Sequence, residues 1–112
     1  MSIVVDDIEK FSRKFEKRFD NQLVKEHYDI CVALNDLYER KNHDYGNSFG
    51  ETYEKLGIIS AVTRLNDKHN RLISLCTKGQ RVADESIEDT LRDMANYAIM
   101  TLMEIEREKK DV

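Results

Sequence analysis

Apolar side chains recur at spacings of three and four residues along most of this chain, which is the period of an amphipathic α-helix. Ile8, Phe11, Phe15 and Phe19 mark a first helix over residues 6–19, whose charged opposite face suits an arm packed on a partner. Leu23, His27, Ile30, Leu34, Leu37 and Tyr38 form one stripe over residues 22–42, with Cys31 beside it. The turn formers of "NHDYGNSFGE" follow, and Gly46 there suits a positive φ. "SFGE" reads as a capping box with Glu51 at its third position. From there a third helix is expected to run to residue 77, with Val62, Leu65, His69, Leu72 and Cys76 as its buried stripe. A fourth spans residues 86–109, and acids near its start and "REKK" at its end both suit the helix dipole. No strand-type alternation interrupts the pattern. It predicts an all-α fold.

Composition narrows the picture. The 112 residues are too few for two independent cores, so one domain over residues 1–112 is expected. The absence of proline and the presence of only four glycines permit long helices. Charged residues make up 36%, with a net charge of −4 and a pI near 5.4. That balance lacks the basic stripe needed to hold a nucleic-acid polymer. It leaves room for a small anion bound by a local basic cluster or by a metal. Cys31 and Cys76 lack metal-ligand spacing and read as reduced core thiols. Acids arrive after five residues, too early for a signal sequence, and no stretch has transmembrane length. A soluble cytoplasmic protein, bound to no membrane, is expected.

The chemistry concentrates in two helices. In the fourth, Leu91, Ala95, Ala98, Leu102 and Ile105 share one face, while Asp89, Asp93, Asn96 and Met100 lie opposite. Residues 94–103 are apolar almost all round, so this helix should be central in the fold or shared with another subunit. A homo-oligomer, dimer or tetramer, follows as the expectation. A carboxylate on such a helix needs partners. Asp93 is thus either a structural salt bridge or, with Asp89, a ligand for a divalent cation such as Mg²⁺. In the third helix Arg64, Lys68 and Arg71 share a face with Asp67. That face is either solvated charge or a phosphate-binding surface opposite the acids of helix four, which it should approach. His69 falls on the apolar stripe and reads as a core or boundary residue. His43 and Asp44 could meet a ribose or phosphate and Tyr45 could stack on a base, or the segment is a plain turn.

"KNHDYGNSF", "RLNDKHNRL" and "DESIEDTLRDMANYAIM" resemble, in order and spacing, a phage and prophage family, the first of the nucleotide-modification-associated domains. The likeness covers about residues 27–104. That family in turn resembles the all-α MazG-type nucleoside-triphosphate pyrophosphohydrolases. This resemblance implies a four-helix, MazG-like bundle, here preceded by the N-terminal amphipathic helix, and cleavage of a nucleoside triphosphate to monophosphate and pyrophosphate. It implies Mg²⁺ held through an E-x-x-E, matched by Glu51 and Glu54, and a later E-x-x-D, matched by Asp93 and Asn96. Asn96 stands where that motif has aspartate, and it brings a neutral oxygen with no charge. Glu51 and Glu54 also sit at a helix start, where acids complement the dipole. Three expectations follow in order. The first is a Mg²⁺-dependent pyrophosphohydrolase with Asp93 and Asp89 as catalytic and metal residues and with phosphates on Arg64, Lys68 and Arg71. The second is a non-catalytic protein that sequesters a nucleotide or a nucleotide-derived cyclic immune signal. The third is a structural or interaction module whose charged faces answer each other.

Overall fold

The structure, a computed structural model, describes residues 21–78 and 83–111, with the side chains of residues 45 and 83–85 left out of the description. The expected helix over residues 6–19 lies outside the described residues. Among these, four α-helices and no strand are found: α1 (Gln22–Tyr45), α2 (Ser48–Leu56), α3 (Ile58–Thr77) and α4 (Ala83–Lys110). The fold is all-α. None of these helices is long and apolar enough to cross a membrane.

The chain divides into two compact units, residues 1–36 and 37–112. The first contains the opening part of α1. Its N-terminus is capped by Asn21, whose Oδ1 accepts the backbone N–H of Leu23 at 2.8 Å and of Val24 at 3.4 Å. Leu34 is buried, but Leu23, His27, Ile30 and Cys31 of the expected stripe are exposed, Leu23 at 71%. Cys31 is a free thiol 3.6 Å from His27 Nδ1, at the surface rather than in a core.

In the second unit α3 and α4 pack along each other and α2 lies against both. The core is small: Phe49, Tyr53 and Ala61 are buried, with Tyr97 and Met100 packed on them. Two glycines set the path of the chain. Gly46, with φ of 67°, ends α1 and donates its N–H to the Asn42 carbonyl at 2.8 Å. Gly57, with φ of 75° and ψ of −167°, separates α2 from α3, where one unbroken helix was expected. That backbone region is essentially closed to side chains with a Cβ, so this glycine is a corner and not a tolerated helix residue. The capping box does not form either. Asn47 is the N-cap of α2 and makes no side-chain cap bond, and Ser48 already lies inside the helix.

The faces that both long helices turn inward differ from expectation. α3 turns Ala61, Arg64, Leu65, Lys68 and Leu72 inward to varying depth, while Val62, His69 and Cys76 of the expected stripe are exposed. α4 buries Thr90 and Asn96 and half-buries Asp93, Tyr97 and Met100. Its expected apolar face is only partly covered: Leu91, Ala98 and Leu102 are exposed, Leu102 at 61%, while Ala95 and Ile105 are half-buried. Of the opposite face, Asp93, Asn96 and Met100 turn towards the interior of the unit, while Asp89 stays exposed.

Candidate functional site

Turning the polar face of α4 inward brings Asp93 under two cations. Lys41 of α1 donates to Asp93 Oδ1 at 2.9 Å, and Lys68 of α3 donates to Oδ2 at 3.0 Å. Each carboxylate oxygen therefore serves a lysine from a different helix. Burial pushes the Asp93 carboxyl up, but the hydrogen bonds and charges of Lys41 and Lys68 outweigh it and hold it below the usual aspartate range. Lys41 is the more open of the two, its side chain 53% exposed against 28% for Lys68.

One helical turn before Lys68, Arg64 points into an aromatic corner. The rings of Phe49 and Tyr97 stack with centroids 5.9 Å apart and an interplanar angle of 17°. The Arg64 guanidinium carbon lies 5.6 Å from the Phe49 centroid and 5.9 Å from that of Tyr97. These are cation–π distances, and they leave the Arg64 N–H groups for other acceptors.

Arg64, Asp93, Asn96 and Tyr97 share a cleft of about 340 Å³ with Lys41 and the Gly46–Phe49 stretch. The first turn of α2 thus borders the cleft, and a helix start has N–H groups without intrahelical partners, a geometry suited to anions. Gly50 behind this turn is buried, and a Cβ there would come within 2.6 Å of Asn47 Nδ2 and 2.9 Å of Glu104 Oε1. Tyr53 lies deeper. Burial first, then its hydrogen bond to Glu108 and the charges of Glu108 and Glu104, push its phenol above the ordinary value.

The expected approach of the two charged faces therefore occurs through Lys68 and Arg64 on one side and Asp93 and Asn96 on the other. Asp67 and Arg71 are exposed and do not line the cleft. Asp89 is exposed as well and accepts from Arg92 at 3.1 Å. Glu51 and Glu54 are exposed on α2. Among the described residues no three His, Cys, Asp or Glu side chains form a group able to hold a metal ion. The acids assigned to Mg²⁺ do not converge as they stand. His43 and Asp44 lie on the last turn of α1 along a separate, open depression of about 590 Å³. The Tyr45 side chain is outside the described residues.

Sequence reasoning missed Lys41, Asn47, Phe49 and Tyr97. Lys41 sits in a run of charges at a helix end and Phe49 inside what read as a cap, so neither carried a local signal. Tyr97 had one: it is adjacent to Asn96 and lies one helical turn after Asp93.

A family model described as nucleotide modification associated domain 1 matches residues 41–105, more than half of the chain and every residue of this cleft except Tyr38. No curated protein and no solved structure matches the chain.

Proposed function

The chain belongs to the nucleotide modification associated domain 1 family, and we propose that it binds a nucleotide or nucleotide-derived molecule in the cleft between α1, α3 and α4. One observation carries this reading: Lys41 and Lys68 hold a single carboxylate on the wall of a cleft whose lining also includes Arg64, stacked over an aromatic pair. Phosphate recognition needs clustered cations with charge-assisted donors, and a base needs a flat apolar surface. Lys41, Lys68 and Arg64 would receive phosphate oxygens, aided by the first turn of α2. Tyr97 and Phe49 would meet the base, and the Asn96 amide is within the same cleft. Binding without turnover, that is, sequestration, comes first in this reading because both oxygens of Asp93, the carboxylate a metal would need, are engaged by lysines.

A second reading, Mg²⁺-dependent pyrophosphohydrolysis of the MazG type, rests on Asp93 and Asn96 lining one cleft less than a turn apart, in the pattern of the later acidic motif. It requires Asp93 to leave its lysines. Assembly into a homo-oligomer belongs to either reading and is supported by the exposed apolar face of α4.

The test incubates the protein with common ribo- and deoxyribonucleoside triphosphates and Mg²⁺, then analyses the products before and after denaturation. Intact nucleotide released only on denaturation is the expected result. Monophosphate and pyrophosphate appearing with turnover would move the assignment to hydrolysis. Neither binding nor product would remove both.

A further inference from the structure

The position of Asp93 resembles that of a ligand more than that of a strut. Its two oxygens are shared between lysines that belong to different helices and repel each other. Arg64, the third cation, is turned to the aromatic pair and takes no part in those ion pairs. The carboxylate therefore neutralises only part of the positive charge around it. It also sits on the cleft wall, with Lys41 open to solvent on one side.

We infer that Asp93 is a built-in substitute for a phosphate group, which holds Lys41 and Lys68 in a phosphate-ready arrangement and must yield them to an incoming ligand. This rests on the nucleotide-binding reading of the same cleft and adds a selection rule to it. A carboxylate has two oxygens and one charge, and it is tethered to α4, so it competes at a fixed high local concentration. A monoanion offers the lysines nothing that Asp93 does not already supply. A phosphate monoester or a pyrophosphate group brings a second charge and a third oxygen, which Arg64 can take. The cleft should accordingly prefer ligands with at least two negative charges on neighbouring oxygens over singly charged phosphodiesters.

The opposite role makes the opposite prediction. If Asp93 only props the lysines, its removal leaves them splayed and anion binding falls. If Asp93 competes for them, its removal strengthens anion binding.

The experiment titrates inorganic pyrophosphate, and separately deoxyadenosine triphosphate, into the full-length protein and its Asp93→Asn variant by calorimetry. Circular dichroism verifies the fold, and Asp93→Ser carries the same expectation should the first variant not fold. The neutral variant is expected to bind pyrophosphate about tenfold more tightly than the wild type, the scale of one charge-assisted contact. Adding Lys68→Ala to it should cancel the gain. Unchanged or weaker pyrophosphate binding in the neutral variant overturns the inference while leaving nucleotide binding by the wild type intact. A gain for pyrophosphate with no binding of the triphosphate by either protein upholds the inference and removes the nucleotide reading.

Discussion

Asp93 shows how one side chain is read differently in sequence and in space. Its position beside the apolar segment 94–103 announced that it needs partners, and Lys68 was visible as one candidate because it lies on a cationic face. Lys41 was not, since it is fifty-two positions away and the bond closes only when α1 meets α4. The pairing has a pH consequence. A carboxyl held below its unfolded value stabilises the fold above the ordinary aspartate range, and that contribution is lost as pH falls through the lowered value. Tyr53 acts at the other extreme. Its raised phenol value favours the fold below the ordinary tyrosine range, and the contribution fades as pH rises towards the raised value. Thermal melts across pH should thus show loss of stability at both ends. In Asp93→Asn the acid limb should flatten, and in Tyr53→Phe the alkaline limb should. An acid limb unchanged in Asp93→Asn would mean that the two lysine contacts add nothing to stability.

Helices were legible where the apolar period was long. Both ends of α1 and α4 and the C-terminal end of α3 fall within about three residues of expectation, ordinary scatter for such boundaries. What the pattern hid was the corner at Gly57. A lone glycine inside a helical period is compatible with continued helix, and only the backbone angles reveal the break. After the corner α3 turns Ala61, Arg64 and Lys68 inward, while Val62 and His69 of the expected stripe stay exposed. Gly57→Ala should therefore cost stability on the order of 1–3 kcal/mol, read as a lowered melting temperature or urea midpoint. Gly50→Ala should cost less, because the groups it would crowd are the flexible ends of Asn47 and Glu104. An equal or smaller loss at Gly57 would indicate that the corner relaxes into helix without penalty.

At the scale of the whole molecule, several large apolar side chains among the described residues stay exposed. Leu91, Ala98 and Leu102 lie exposed on α4, and Ile59, Val62 and Ile73 lie exposed on α3. From the apolar segment over residues 94–103 the sequence led to the expectation that α4 is central in the fold or shared with another subunit, and the proposed homo-oligomer would cover these exposed side chains. Light scattering at micromolar concentration should return a dimer or larger assembly, and Leu102→Glu should shift it towards monomer. A monodisperse monomer in the wild type would contradict this.

The claim that the cleft is a phosphate-binding site is tested most directly at Lys68, which donates to the cleft-lining carboxylate of Asp93 and is not part of the aromatic pair. The measurement is the calorimetric affinity of the wild type and of Lys68→Ala for the common nucleoside triphosphates. Loss of a charge-assisted bond costs about 1.5–3 kcal/mol, so the variant should bind roughly ten- to a hundredfold more weakly with its fold preserved. Equal affinity in the two proteins, or a wild type that binds none of the triphosphates, would contradict the account.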